Sequence, residues 1–221
     1  MCDHRLFAPQ IETLNKFAPV KVVDLSRAAT IAGMAESAFE QSNGKHLAVA
    51  GLSMGGIVAM EMVRQDSARV ERLALLDTNH LPDDSNRIAQ RKGQIERVRG
   101  GMLAEVMVNE LKPHYVARVN MGDAQLHDTF YAMAMDLGPD VFERQVTALM
   151  TRNGAEDVLR IYSGRTLVLC GQEDLPCPPE RHRQMAALLD DAMLEIVPDA
   201  GHVTSLENPA RVNAALARWL S

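Results

Sequence analysis

His46-Leu-Ala-Val-Ala-Gly-Leu-Ser-Met-Gly-Gly56 is a short apolar run that ends at a glycine-flanked serine and leads into the helically spaced residues Gly56 to Arg64. Strand, serine and helix in that order give G-x-S-x-G its meaning. The pattern is a strained strand-to-helix turn that exposes the hydroxyl and needs small neighbours to form. Gly51, Gly55 and Gly56 supply them, and Ser53 is the candidate nucleophile.

Working outward, four more apolar runs read as strands: Val20 to Leu25, Leu73 to Asp77, Thr166 to Cys170 and Met193 to Val197. Near-continuous apolarity marks strands buried on both faces, and helical spacing follows them at Ile31 to Phe39, Glu180 to Leu189 and Pro209 to Leu220. The alternation predicts a parallel sheet joined by crossover helices, an α/β fold. Asn208 and Pro209 suit the N-cap and first position of the last helix. The rhythm breaks between Leu81 and Ser163. Ile88 to Arg99, Leu103 to Leu111 and Val141 to Thr151 are helical there, and no strand is expected. The expected organisation is a core of residues 1–80 and 160–221 with a helical cap inserted at 81–159. Six of the thirteen methionines lie in that insertion, as helix core or as one or two walls of an adaptable acyl pocket.

A serine hydroxyl needs a base to take its proton and a carboxylate to orient that base. Asp174 lies just past the run Thr166 to Cys170, and His202 lies in Pro198-Asp-Ala-Gly-His202 just past Met193 to Val197. Both fall at carboxyl ends of predicted strands, where loops of an open parallel sheet gather around a ligand. Asp77 also ends a strand and Glu173 adjoins Asp174, so each competes for the orienting role. Asp77 reads otherwise as a pocket wall or a helix cap. For the base, His46, His80, His114, His127 and His182 are also available, but His46 begins a strand and His182 sits in a helix, and His202, on its glycine-preceded loop, is the preferred base. Leu52, Asp77 and Val203 are the candidate pocket residues. No H-E-x-x-H or Cys/His pairing is present, so no metal and no cofactor is expected.

Twenty-three Lys and Arg against twenty-nine Asp and Glu give a net charge of −6, with no basic block for nucleic acid. Cys2, Cys170 and Cys177 make an odd, unpaired set in a chain large enough to fold without disulfides, which suggests a reducing compartment. No apolar run approaches the roughly 20 residues of a membrane span, and no basic-then-apolar export signal opens the chain. The expected address is the cytoplasm. The basic residues of the insertion are scattered: Arg118, Arg144 and Arg152 read as solvated helix residues and give no argument for a carboxylate-bearing or sugar substrate.

Taken together, Gly51-Leu-Ser-Met-Gly-Gly56, Leu73-Ala-Leu-Leu-Asp-Thr78, Thr166-Leu-Val-Leu-Cys-Gly-Gln-Glu-Asp174 and Gly201-His202 followed by Glu207-Asn-Pro209 resemble the α/β-hydrolase superfamily, specifically its small esterase and lactonase-like members with a helical cap. The resemblance covers essentially the whole chain. It implies an oxyanion hole using the Met54 amide and a second amide from the turn after the family's third strand. It also implies that Val20 to Leu25 is strand four and His46 to Ala50 strand five. Relatives usually open with three strands and a Pro-Gly-x-x-Cys-Asp turn, whereas Met1-Cys-Asp3 falls at the end of that turn. The expectation is that the N-terminal strands of the family fold are absent, that the second oxyanion donor precedes Met1, and that an unpaired sheet edge favours association, for instance as a homo-oligomer.

The function expected is hydrolysis of a small carboxylic ester through an acyl-enzyme, with Ser53 attacking, His202 moving the proton and Asp174 holding the imidazole. A lactonase or carbon-carbon hydrolase would use the same three residues. A catalytically impaired relative that only binds a small molecule is the alternative from another class.

Overall fold

The computed structural model describes residues Met1–Ser221. Four strands, β1 (Leu47–Leu52), β2 (Val70–Leu76), β3 (Arg165–Gly171) and β4 (Ala192–Val197), form one parallel sheet in chain order. The register pairs Leu52 with Leu76 and Leu76 with Leu169, while Gly171 pairs with Val197. Leu52, Leu76 and Leu169 lie at one level and β3 and β4 run two residues beyond it, so the loops that follow all emerge at the same edge of the sheet.

Successive strand residues face opposite sides of the sheet. Leu73 and Leu75 of β2, with Val168 of β3, face a core shared with helices α1 (Ile31–Gln41) and α2 (Met54–Asp66). Ala74, Leu76, Leu167 and Leu169 face the other core. The segment between β2 and β3 contains helices α3 (Ser85–Arg99) and α4 (Ala124–Met150), with a short helix at Leu103–Glu105 running into a π-helical turn at Val106–Leu111. Helix α5 (Pro179–Ala187) follows β3, and its Met185 lies in the first core. Helix α6 (Pro209–Leu220) closes the second with Val212, Leu216 and Trp219. Burying each such side chain contributes about 1.5–3 kcal/mol. Asn208 caps α6 by accepting from the Arg211 amide, with Pro209 in the first turn. The segment between β2 and β3 has a small core of its own, including Ile95, Val98, Met107, Phe142 and Val146.

Two features differ from the sequence reading. Residues 20–25 join no strand, so the expected first strand is absent and β1 has a ladder partner only in β2. Side chains meet part of the backbone there: Val20 N–H donates to Asn15 and Asp24 N–H to Gln41. Val23 and Leu25 still pack on the first core, which gives the run its strand-like alternation. The other difference is α4, which begins seventeen residues before the expected Val141. Its two halves meet at Gly138, whose φ of 79° and following Pro139 kink it. No helix is long and apolar enough to cross a membrane.

At the end of β1 the chain turns so tightly that a Cβ on Gly51 would overlap the Gly55 backbone, whereas a Cβ on Gly55 meets nothing. Gly51→Ala is expected to lower stability by about 3 kcal/mol or more, and Gly55→Ala to change it by no more than about 1 kcal/mol. Urea unfolding of the two variants checks this contrast. Equal effects would mean that the crossing is not a tight constraint.

Candidate active site

Ser53 sits between β1 and α2 with φ 53° and ψ −115°, a backbone region costly for any residue other than glycine. Both neighbouring peptide groups are tied down. The Ser53 amide donates to the Leu76 carbonyl at 2.9 Å, and the Thr78 hydroxyl donates to the Ser53 carbonyl at 2.6 Å. The turn is thereby strapped to the end of β2 while the side chain faces outward.

Three residues of distant sequence position meet there. His202 Nε2 lies 2.9 Å from Ser53 Oγ, and His202 Nδ1 lies 2.9 and 3.1 Å from the two oxygens of Asp174. Asp174 and His202 are both buried. The Cys177 amide also donates to Asp174 at 2.8 Å, holding the carboxylate toward the imidazole. Such an arrangement can take a proton from the hydroxyl at Nε2 while the carboxylate stabilises the resulting imidazolium. The competing residues are engaged elsewhere. Glu173 pairs with Arg118 at 3.3 Å. Buried His182 accepts from the Thr78 amide, and burial pushes its pKa down to about 4.

Met54 opens α2, so its amide belongs to the first helical turn, whose N–H groups lack intrahelical acceptors. Two cavities meet at Ser53 and His202. One, of about 450 Å³, extends under the helices between β2 and β3; the other, of about 690 Å³, runs along β1 and residues 18–26. Leu52 and Val203 line the larger cavity, but Asp77 lines neither, which corrects its reading as a pocket wall. Arg152 is likewise not a solvated helix residue. It is buried, with Asp83 at 2.9 Å and the carbonyls of Leu81 and Leu149 as acceptors, and it lines the smaller cavity.

A sequence profile of the alpha/beta hydrolase family matches residues 12–215. The chain belongs to the α/β-hydrolase family. Among solved structures it is similar to a malate-bound thermophilic esterase from Thermogutta terrifontis, with 27% identity and a TM-score of 0.87 over 99% of this chain and 85% of that one. It shares its fold with an enol-lactonase from Burkholderia xenovorans at 16% identity and TM-score 0.85, covering 99% of this chain and 87% of that one. It also shares it with a bromoperoxidase from Bacillus anthracis at 15% identity and TM-score 0.80, covering 99% and 88%.

Several residues that support the site of this α/β hydrolase carry no local sequence signal. Asp77 is fully buried behind Asp174 and His202 and accepts from the Gly171 amide and from the amide and hydroxyl of Thr204, binding the end of β2 to β3 and to the histidine loop. Glu207 accepts from the amides of Gly201 and Ala117 and the side chain of Asn120, clamping that loop to the helical segment between β2 and β3. Tyr115 accepts the His202 amide on its carbonyl at 2.8 Å and sets its ring 5.0 Å from the imidazole. Only their long-range partners reveal these roles.

Asp174, Cys177 and His202 offer ligand atoms within 4.8 Å of one another. The donor set suits a cation poorly, because Asp174 is occupied by His202 and the Cys177 amide. Burial also pushes the Cys177 thiol well above its ordinary range and keeps it protonated.

Burial disfavours the His202 imidazolium, but the charge and hydrogen bond of Asp174, with a further contribution from Asp77, outweigh it and raise its pKa above the ordinary 6.5. Asp77 is itself raised, by burial first and by the Asp174 charge second. An NMR titration of the His202 ring is expected to give a midpoint above 6.5, and Asp174→Asn to lower it, because the neutral amide no longer favours the charged ring. A wild-type midpoint below 6.5 would contradict this electrostatic balance.

Proposed function

We propose that this α/β hydrolase is a serine hydrolase that cleaves a small carboxylic ester through an acyl-enzyme. The observation that carries the reading is the continuous relay from Ser53 Oγ through His202 to Asp174, with a 2.9 Å contact at each step, at the meeting point of two cavities.

In this reading His202 Nε2 takes the Ser53 proton as Oγ attacks the carbonyl carbon. The tetrahedral oxyanion faces the Met54 amide at the positive end of α2. His202 then gives its proton to the leaving alcohol. A water enters, loses a proton to the same nitrogen and attacks the acyl carbon, releasing the acid and restoring Ser53. Asp174 stays ionised throughout, keeping Nδ1 protonated and Nε2 free. The strained backbone of Ser53 supports the role, since strain of this kind concentrates where a side chain must be presented.

Treating the protein with a fluorophosphonate and mapping peptides by mass is expected to place one adduct on Ser53, lost in His202→Ala. Hydrolysis of p-nitrophenyl butyrate is expected to fall by about 10⁴-fold or more in Ser53→Ala. No adduct on the folded protein would leave a fold relative that binds a small molecule without turning it over, and would overturn the reading.

A further inference from the structure

The smaller cavity differs in charge from the rest of the molecule. Against a net charge of −6 for the chain, it is lined by five cationic side chains, among them Arg87, Arg91 and Arg152, and by only two carboxylates, Asp83 and Asp84. Arg87 and Arg91 stand one helical turn apart on α3, so both face the cavity from the same side. Their charges are not cancelled locally. Asp83 is shared between Arg152 at 2.9 Å and Arg91 at 2.6 Å, so one carboxylate serves two guanidinium groups. Asp84 caps α3 by accepting from the Arg87 amide.

The donor inventory agrees. A guanidinium carries five N–H donors. Arg91 spends only Nε–H, on Asp83, although its side chain is just 14% exposed, and Arg87 spends only one Nη1 donor, on Gln90. Across the same cavity, Gln145 is 4% exposed and its amide oxygen has no partner, and such buried acceptors are normally satisfied. Ser53 and His202 open into this space, and the Arg87 charge is felt at His202, where it disfavours the imidazolium.

We infer that this cavity receives an ester or lactone carrying a carboxylate, seated on the free guanidinium donors of Arg87 and Arg91, with Gln145 meeting a hydroxyl or other donor of the same molecule. The inference rests on the serine-hydrolase reading above and adds the substrate class. A planar fork of N–H donors matches a carboxylate in paired hydrogen bonds, and a half-buried site makes those bonds stronger than they would be in open water. Arg152, bound by Asp83 and two carbonyls, acts on the ligand only by holding Asp83 in place.

The test compares esters that differ by one charge: monomethyl glutarate with dimethyl glutarate for a charge on the acyl side, and 3-acetoxypropionate with propyl acetate for a charge on the alcohol side. Acid release is followed by pH-stat. In at least one pair the anionic ester is expected to have a kcat/KM about tenfold above its neutral partner, carried mainly in KM. Arg87→Gln should lower that anionic-to-neutral ratio by about tenfold, with Arg87→Lys restoring part of it. The control is Arg118→Gln, an exposed arginine outside the cavity, which should leave the ratio as it is. The Arg87 side chain makes one hydrogen bond within the protein, to Gln90, so its variants should fold normally. Neutral esters preferred in both pairs, a ratio unmoved by Arg87→Gln, or one moved equally by Arg118→Gln would each overturn the inference. A fluorophosphonate adduct on Ser53 with no charge preference overturns the substrate class alone. A folded protein with neither adduct nor ester cleavage overturns the serine-hydrolase reading and this inference with it.

Discussion

The close crossing of the end of β1 over the start of α2 is the constraint on which the site depends. With Gly51 against the Gly55 backbone there is no room for a relaxed turn, and Ser53 must take a positive φ to carry the chain from strand to helix. Bonds to the Leu76 carbonyl and from the Thr78 hydroxyl hold this strained geometry against the neighbouring strand. The stability of the parallel core thus keeps one hydroxyl exposed at a fixed point and lifts the amides at the α2 N-terminus to the same level.

Around that point, buried carboxylates do two different jobs at close quarters. Asp174 faces the imidazole and raises its affinity for a proton, while Asp77 lies behind and joins β2, β3 and the histidine loop through three accepted hydrogen bonds. Burial raises the Asp77 carboxyl first, and the nearby Asp174 charge raises it further. Glu207 does similar mechanical work nearer the surface, fastening the loop of His202 to residues 117–120. The position of His202 therefore depends on the helical segment between β2 and β3 as well as on the sheet.

That helical segment also sets the character of the space above Ser53. Not all of its arginines lie on a solvated surface. Arg152 is drawn inward to Asp83, and Arg87 and Arg91 of α3 face the same cavity. A cationic, half-enclosed chamber on an acidic protein concentrates field lines, which in the proposed reading draws small anions toward Ser53 and His202. Selectivity and catalysis would then come from different parts of the chain, with the sheet ends supplying the chemistry and the helices between β2 and β3 the choice of ligand.

Residues whose role depends on near neighbours in the chain were legible from sequence. The glycine-flanked Ser53 after an apolar run, the Asn208-Pro209 start of α6 and the ends of β3 and β4 all carry local signals, because turn strain, helix capping and strand burial act within a few residues. The parallel α/β class followed from their alternation. Tertiary structure decided what depends on distances between remote segments. It chose Asp174 over Glu173 and Asp77 to face His202, and it left residues 20–25 without a ladder partner despite their strand-like pattern. It also turned Arg152 from an apparent surface charge into a buried strut and brought Glu207 and Tyr115 to the histidine loop. Strand register and helix placement bring such groups within 3 Å of each other, and no local propensity encodes which of several similar side chains will arrive there.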